Sequence, residues 1–213
     1  MKAKRKRTAL IICNGAMPTR KITSALLEEK PLIVCADGGA NKARTFGILP
    51  HCIIGDLDSI TEKTRRTFRS VQTIYNPDQY STDLEKALDF VLKKKIRKAV
   101  VIGATGKRAD HTVANFSILR KYHDRMDISF VDAYCDIRIV TRSVKFEAPL
   151  RQIISLAPLG KCSGIITKGL KYPLKDEPLE IGVNEGHHNE VVSSPVKISV
   201  KKGSLLLFMV RKK

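Results

Sequence analysis

Short β-rich runs at residues 8–13, 32–36, 52–54, 71–75 and 99–102 alternate with segments of helical pattern, and no other feature constrains the fold as much. Strands separated by helices need crossover connections, so they pair in parallel and the helices cover both faces of a twisted sheet. The clearest helix is predicted over residues 83–95, where Leu84, Leu88, Val91 and Leu92 fall on one face. Thr82 and Glu85 mark its start as a capping box, each side chain satisfying a backbone N–H of the first turn. After about residue 127 helical periodicity ends. Strand-like runs recur at 128–131, 137–141, 152–156, 164–167, 191–192, 197–200 and 205–210, many divided by turn residues such as Pro158, Gly160, Pro173, Gly182, Gly186, Pro195 and Gly203. That is the pattern of an antiparallel β-sandwich or barrel. The expected fold class is therefore α/β plus all-β, with an α/β half over residues 1–125, a β-rich half over 126–213, and the boundary near 123–130.

Carboxylates follow the early strands directly. Asp37 comes after 32–36, Asp56 and Asp58 after 52–54, Asp78 and Asp83 after 71–75, and Asp110 after the fifth strand and its loop. In an open α/β sheet the carboxyl ends of the strands share one edge, where ligands bind, so these acids are expected to converge. Like charges that close resist simultaneous ionisation, and a divalent cation removes the cost. Mg²⁺ suits carboxylate oxygens and is usually shared between protein acids and substrate phosphates. Asp56 and Asp58 stand two residues apart, so in extended chain both point to one side. Each acid alone is also ordinary turn chemistry; the set together is not.

The fifth strand leads into Gly103-Ala104-Thr105-Gly106-Lys107-Arg108-Ala109-Asp110 and a helical run over 111–122. Glycines let a backbone approach a phosphate, the helix start favours an anion, and Lys107 and Arg108 add charge-assisted contacts. The spacing is not that of a P-loop.

Composition bounds the function. The 213 residues are 43% apolar, enough for a substantial core, and no uncharged apolar run is long enough to span a bilayer. The apolar run 9–12 after the basic terminus is too short for a signal-peptide core. Cys13, Cys35, Cys52, Cys135 and Cys162 form no C-x-x-C pair and read as reduced, buried thiols, so a cytoplasmic location without membrane contact is expected. The net charge of +18 would attract polyanions. The bases are nevertheless dispersed, clustering only at residues 2–7, 93–98 and the last three, and aromatics are 6% with no tryptophan. A specific nucleic-acid partner, the reading from a different class, is therefore not expected. The arm at 2–7 is expected to be disordered and dispensable for catalysis.

The residues Cys35-Ala36-Asp37-Gly38-Gly39-Ala40-Asn41, Ile54-Gly55-Asp56-Leu57-Asp58-Ser59, Asp78-Gln79-Tyr80-Ser81-Thr82-Asp83, Gly103 through His111 with Asn115, and Gly169-Leu170-Lys171-Tyr172-Pro173-Leu174 together resemble the thiamin pyrophosphokinase family. The resemblance implies a Rossmann-like catalytic domain followed by a β-sandwich, a homodimer with active sites at the subunit interface, and transfer of the diphosphate of ATP to the thiamin hydroxyl. It makes Asp56, Asp58 and Asp83 the metal and catalytic carboxylates, with Arg108 and Asp110 completing the polar site. Asp37, Gly38, Gly39, Asn41, Gln79 and Thr82 become nucleotide and substrate contacts, beside Thr105, Gly106 and Lys107 of the glycine loop. Tyr172, His188 and Asn189 fall to thiamin. Where bacterial relatives commonly show Ser-Asn, this chain reads His187-His188-Asn189, and only Asn189 matches. Adjacent histidines in extended chain face opposite sides, so no metal pair is expected there. A kinase of another small alcohol using the same metal apparatus is the competing enzyme reading.

Overall fold

The computed structural model describes residues 8–211; the arm at 2–7 lies outside them. The chain divides into two compact units, Met1–Ala133 and Tyr134–Lys213.

The first unit alternates β1 (Ala9–Ile12), α1 (Arg20–Glu28), β2 (Leu32–Ala36), α2 (Gly39–Phe46), β3 (Cys52–Gly55), α3 (Glu62–Thr67), β4 (Gln72–Tyr75), α4 (Asp83–Lys93), β5 (Lys98–Ile102), α5 (Ala109–Tyr122) and β6 (Asp127–Val131). Its strands stand in the order β6-β5-β1-β2-β3-β4, all parallel. Chain order reverses between β1 and β5, which sets a crevice at their carboxyl ends. β1 and β3 are buried along their whole length, as strands covered on both faces must be. β4 is mostly exposed because it forms the sheet edge. Leu10, Ile12, Ile33, Cys35, Ile53 and Ile102 share a core with Ala40 and Ala43 of α2. The capping box predicted for α4 is present, with Glu85 N–H donating to Thr82 Oγ1 at 3.3 Å and Thr82 N–H to Glu85 Oε2 at 2.9 Å.

One expectation is corrected. The run at 128–131, expected in the antiparallel half, forms β6 and pairs in parallel with β5, Ala99 opposite Ile128 and Ile102 opposite Val131. Helix α5 is a crossover, and a crossover returns the chain parallel. The first unit therefore keeps a strand that the expected division at 125/126 gave to the second.

The second unit is antiparallel throughout. β7 (Cys135–Val140), β9 (Ile153–Pro158), β12 (Gly186–Glu190) and β14 (Leu205–Val210) stand in the order β12-β9-β14-β7. A separate sheet runs β11-β10-β13-β8, from β11 (Lys175–Glu180), β10 (Lys161–Lys168), β13 (Val196–Ser199) and β8 (Ser143–Phe146). Ile154, Leu156, Leu205 and Leu207 of the first layer meet Ile165, Val196 and Ile198 of the second in one core. The run expected at 191–192 is not a strand: Val191 makes an isolated bridge to Leu170, and the strand β12 ends just before it.

Of the five free thiols, Cys13, Cys35, Cys52 and Cys162 are buried and Cys135 is partly exposed. Burial pushes the Cys13 thiol up to about 12, which leaves it unreactive at neutral pH. Among the described residues no helix is long and apolar enough to cross a membrane.

Candidate active site

Asp37 closes β2 with φ of 41°, a left-handed turn that aspartate tolerates, and its N–H bonds the carbonyl of Ile54 on β3 at 2.9 Å. Its side chain is buried, and Oδ1 has no hydrogen-bond partner. Burial raises the Asp37 pKa against hydrogen bonds from Ser59 and Gly38, and the charges of Asp83 and Asp56 push the same way. One carboxylate oxygen each from Asp37, Asp56 and Asp58 lies within 4.8 Å of the others.

Asp56 and Asp58 do not meet through an extended chain, as their spacing suggested. Leu57 between them is left-handed, with φ of 67°, so the loop turns and the Asp58 N–H faces Asp56 Oδ1 at 3.4 Å. Asn41 on α2 holds that loop, donating to the Ser59 carbonyl at 2.8 Å and accepting from the Thr61 N–H and hydroxyl, each at 3.1 Å. Arg65 donates to the carbonyls of Leu57 and Ile60. Ser59 Oγ donates to Asp58 Oδ1 at 2.9 Å. Asn41, a nucleotide or substrate contact by the family resemblance, shapes the acidic loop through both ends of its amide.

Three hard oxygen donors converge without an ion-pair partner among the described residues, and one buried oxygen is orphaned. This arrangement fits a divalent cation.

Asp83, the fourth acid, opens α4. Its Oδ1 accepts from Lys86 Nζ at 3.1 Å, and the Lys86 side chain is only 3% exposed. Burial raises the Asp83 pKa; the Lys86 ammonium opposes the rise and the Asp56 and Asp58 charges add to it. Gly55 makes this proximity possible: a Cβ there would stand 2.7 Å from Asp37 Cβ and 3.0 Å from Asp83 Oδ1. Gly39 does the same for α2, since a Cβ would lie 1.9 Å from the Ile12 carbonyl oxygen. Gly38 packs beneath the amide of Asn14.

The glycine loop after β5 is tied to the loop after β1, with Gly15 N–H bonding the Gly103 carbonyl and Ala16 N–H the Thr105 carbonyl, each at 2.8 Å. Asn115 on α5 donates to the Ala104 carbonyl at 2.7 Å, and Thr105 Oγ1 bonds Asp132 Oδ2 at 3.3 Å. Gly106 and Lys107 are both left-handed. Arg108 donates to Asp110 twice, from Nε to Oδ1 at 3.1 Å and from Nη2 to Oδ2 at 2.5 Å, and this pairing holds the exposed Asp110 carboxyl down to about 2. Lys42 on α2 comes against Lys107; burial first, and then that neighbouring ammonium, lower its pKa. Gln79 sits in an exposed turn with its amide on the Pro77 carbonyl at 3.0 Å, and Thr82 is occupied as the helix cap.

In the second unit the side chain of Asn189 clasps the main chain of Tyr172, accepting from its N–H at 3.1 Å and donating to its carbonyl at 2.7 Å. The Tyr172 ring is exposed, with Lys171 Nζ 5.6 Å from its centroid. His188 is left-handed within a register shift of β12, and its N–H bonds Ser155 Oγ at 3.0 Å. His187 pairs with Glu185 at 2.8 Å. Lys86, Lys42 and Asn14 were not among the expected site residues. Lys86 had a signal, since a lysine three residues after an acid on a helix lies beside it.

A parallel sheet whose carboxyl edge carries clustered acids and a basic glycine loop defines a transferase acting on phosphate groups. The family model for the thiamin pyrophosphokinase catalytic domain matches residues 23–130, and that for the vitamin B1 binding domain of the same family matches 138–205. The chain belongs to the thiamin pyrophosphokinase family. It is 28% identical over 209 residues to the thiamine pyrophosphokinase of Bacillus subtilis, covering 94% of this chain and 97% of that one. It is 29% identical over 200 residues to thiamin pyrophosphokinase 1 of Caenorhabditis elegans, covering 83% and 77%. The crystal structure of the B. subtilis enzyme superposes with a TM-score of 0.85 at 27% identity, covering 97% of this chain and 100% of that one. The yeast thiamin pyrophosphokinase shares the fold, with a TM-score of 0.86 at 20% identity over 99% and 88%.

Proposed function

We propose that this chain transfers the diphosphate of ATP to the hydroxyl of thiamin, giving thiamin diphosphate and AMP, as a cytoplasmic homodimer. The observation that carries the reading is the Asp37, Asp56 and Asp58 cluster with its orphaned buried oxygen, in a chain matched by both halves of one family. Those three acids and Asp83 would hold Mg²⁺, which when bound neutralises charge on the transferring phosphates.

The chain's own residues do the rest. Gly103 to Gly106 offer main-chain approach to phosphate, with Lys107 and Arg108 supplying positive charge. Asp110 aims the Arg108 guanidinium through their two hydrogen bonds. Lys86 orients Asp83 and opposes the rise in its pKa that burial causes. Asn41 and Gly55 shape the loops that bring the acids together. Tyr172, with His188 and Asn189, is assigned to thiamin, whose flat pyrimidine and cationic thiazolium suit an aromatic face. Positioning and charge neutralisation are what this chemistry chiefly requires. The deciding experiment measures AMP against ADP, with thiamin present and absent. Thiamin-dependent AMP is expected; ADP as the nucleotide product, or indifference to thiamin, would overturn the reading.

A further inference from the structure

The sheet β11-β10-β13-β8 buries one face against the core through Val144, Ile165, Thr167, Val196 and Ile198. Its other face carries an arrangement unrelated to the acid cluster. Lys168 stands directly opposite Lys197, and Lys197 directly opposite Lys145, so three lysines form one row across three adjacent strands. Two positions along, Ile166, Ser199 and Ser143 form the neighbouring row on the same face. These six residues, with Val144 and Ile198 between them, line a shallow groove of about 230 Å³.

Neighbouring strands lie about 4.8 Å apart, so the ammonium groups are anchored in a line roughly 10 Å long. Like charges directly opposite one another destabilise a sheet. None of the three lysines forms an ion pair among the described residues, although Lys161, Lys171 and Lys201 of the same unit do. Glu177 on β11 stands opposite Ile165, and its carboxylate accepts from the Lys175 N–H; Glu147, two residues after Lys145, accepts from the Ser194 hydroxyl. Lys175 itself lies opposite Ile166 and extends the cationic face.

We propose that this groove binds a short oligophosphate chain, a free di- or triphosphate or its ester, at a site separate from the transfer chemistry. A row of ammonium groups a few ångströms apart matches consecutive phosphates, and the Ser143 hydroxyl supplies a donor beside them, while the Ser199 hydroxyl donates to the Ile166 carbonyl at 3.5 Å. Single-stranded nucleic acid is disfavoured because the groove offers no aromatic ring on which a base could stack. A membrane surface is disfavoured because the site is concave and short.

The test follows backbone amide NMR signals of the full chain during titration with inorganic tripolyphosphate. Saturable shifts at residues 143–145, 166–168 and 197–199 are expected, with affinity at least tenfold weaker in Lys197→Thr and in Lys145→Thr, and transfer activity unchanged in both. Thr suits a strand, and folding of each variant is checked by the same spectrum. Absence of saturable shifts in those strands at millimolar tripolyphosphate, or unchanged affinity in both variants, would overturn the proposal. So would tighter binding at the same residues by an oligonucleotide, or by vesicles of anionic lipid. None of these outcomes bears on the AMP assay, so the groove and the transfer reading fail separately.

Discussion

Gly55→Ala places a methyl group between two of the four acids. The added carbon would stand 2.7 Å from Asp37 Cβ, 3.0 Å from Asp83 Oδ1 and 3.2 Å from Asp37 Cα. Two of those contacts are to the backbone end of Asp37, whose N–H is fixed on β3, so a side-chain rotation does not relieve them. Reaching ordinary contact at 3.4 Å needs a retreat of about 0.7 Å by Asp37. Misplacement by about 1 Å at a reacting centre costs on the order of 100-fold in rate, so a loss of roughly 10- to 100-fold in kcat is expected. Overpacking of this kind costs about 1–3 kcal/mol in stability. The assay is thiamin-dependent AMP formation as a function of Mg²⁺ concentration, beside a urea unfolding curve. A higher Mg²⁺ requirement should accompany the lower rate, because Asp37 and Asp83 are spread apart. Wild-type turnover at wild-type Mg²⁺ dependence in the folded variant would refute the role given to Gly55.

Lys86→Met should destabilise the protein by about 2 kcal/mol, less than for a fully buried pair because Asp83 is one-third exposed, and should raise the Asp83 pKa further; chemical denaturation and the acid limb of the pH–rate profile report the two effects. The folded-state pKa values of Asp37 and Asp83 lie above the ordinary carboxylate value near 4, so in buffer without divalent cations their contribution to stability is present at acid pH and lost as pH rises through those raised values. Asp37→Asn should flatten that loss in a thermal-unfolding series and also abolish the stabilisation that Mg²⁺ is expected to give the wild type at neutral pH. Tyr172→Ala should raise the thiamin KM severalfold, as loss of an aromatic contact worth about 0.5–1.5 kcal/mol requires, with the ATP KM unchanged; an equal rise in both would remove the residue from the thiamin site.

The helix α4 and its cap were legible because period and capping chemistry are local, and the meeting of Asp37, Asp56 and Asp58 because strand alternation fixes which ends of the strands meet, whereas Asp78 closes an exposed turn on Tyr80 and Ser81 and Asp110 pairs with Arg108. What stayed hidden depends on backbone turns and on distant partners. The left-handed Leu57 carries no composition signal, yet it replaces the extended geometry that the spacing of Asp56 and Asp58 suggested. Asn41 belonged to a recognisable motif, but its bonds to Ser59 and Thr61 cross from α2 to another loop and appear only in three dimensions. The strands β11 and β12 read Lys-Asp-Glu-Pro-Leu-Glu and Gly-His-His-Asn-Glu, β11 mostly exposed and β12 partly so, each at the end of its strand order, so apolar alternation did not announce them. The run at 128–131 had the right strand character, and its partner was fixed by the helix before it rather than by its own residues.

The clasp between Asn189 and Tyr172 grips peptide atoms only, one donor and one acceptor, and takes nothing from the phenol ring. An amide can serve both of those atoms, whereas a carboxylate at 189 could only accept. The shape of the turn is therefore inherited independently of the side chain that it displays. Position 172 is open to exchange among rings and aliphatic groups while the loop that presents it stays put. On the proposed thiamin contact, a lineage, or an engineer, could retune which cationic heterocycle is preferred through that single codon without first re-evolving the scaffold around it.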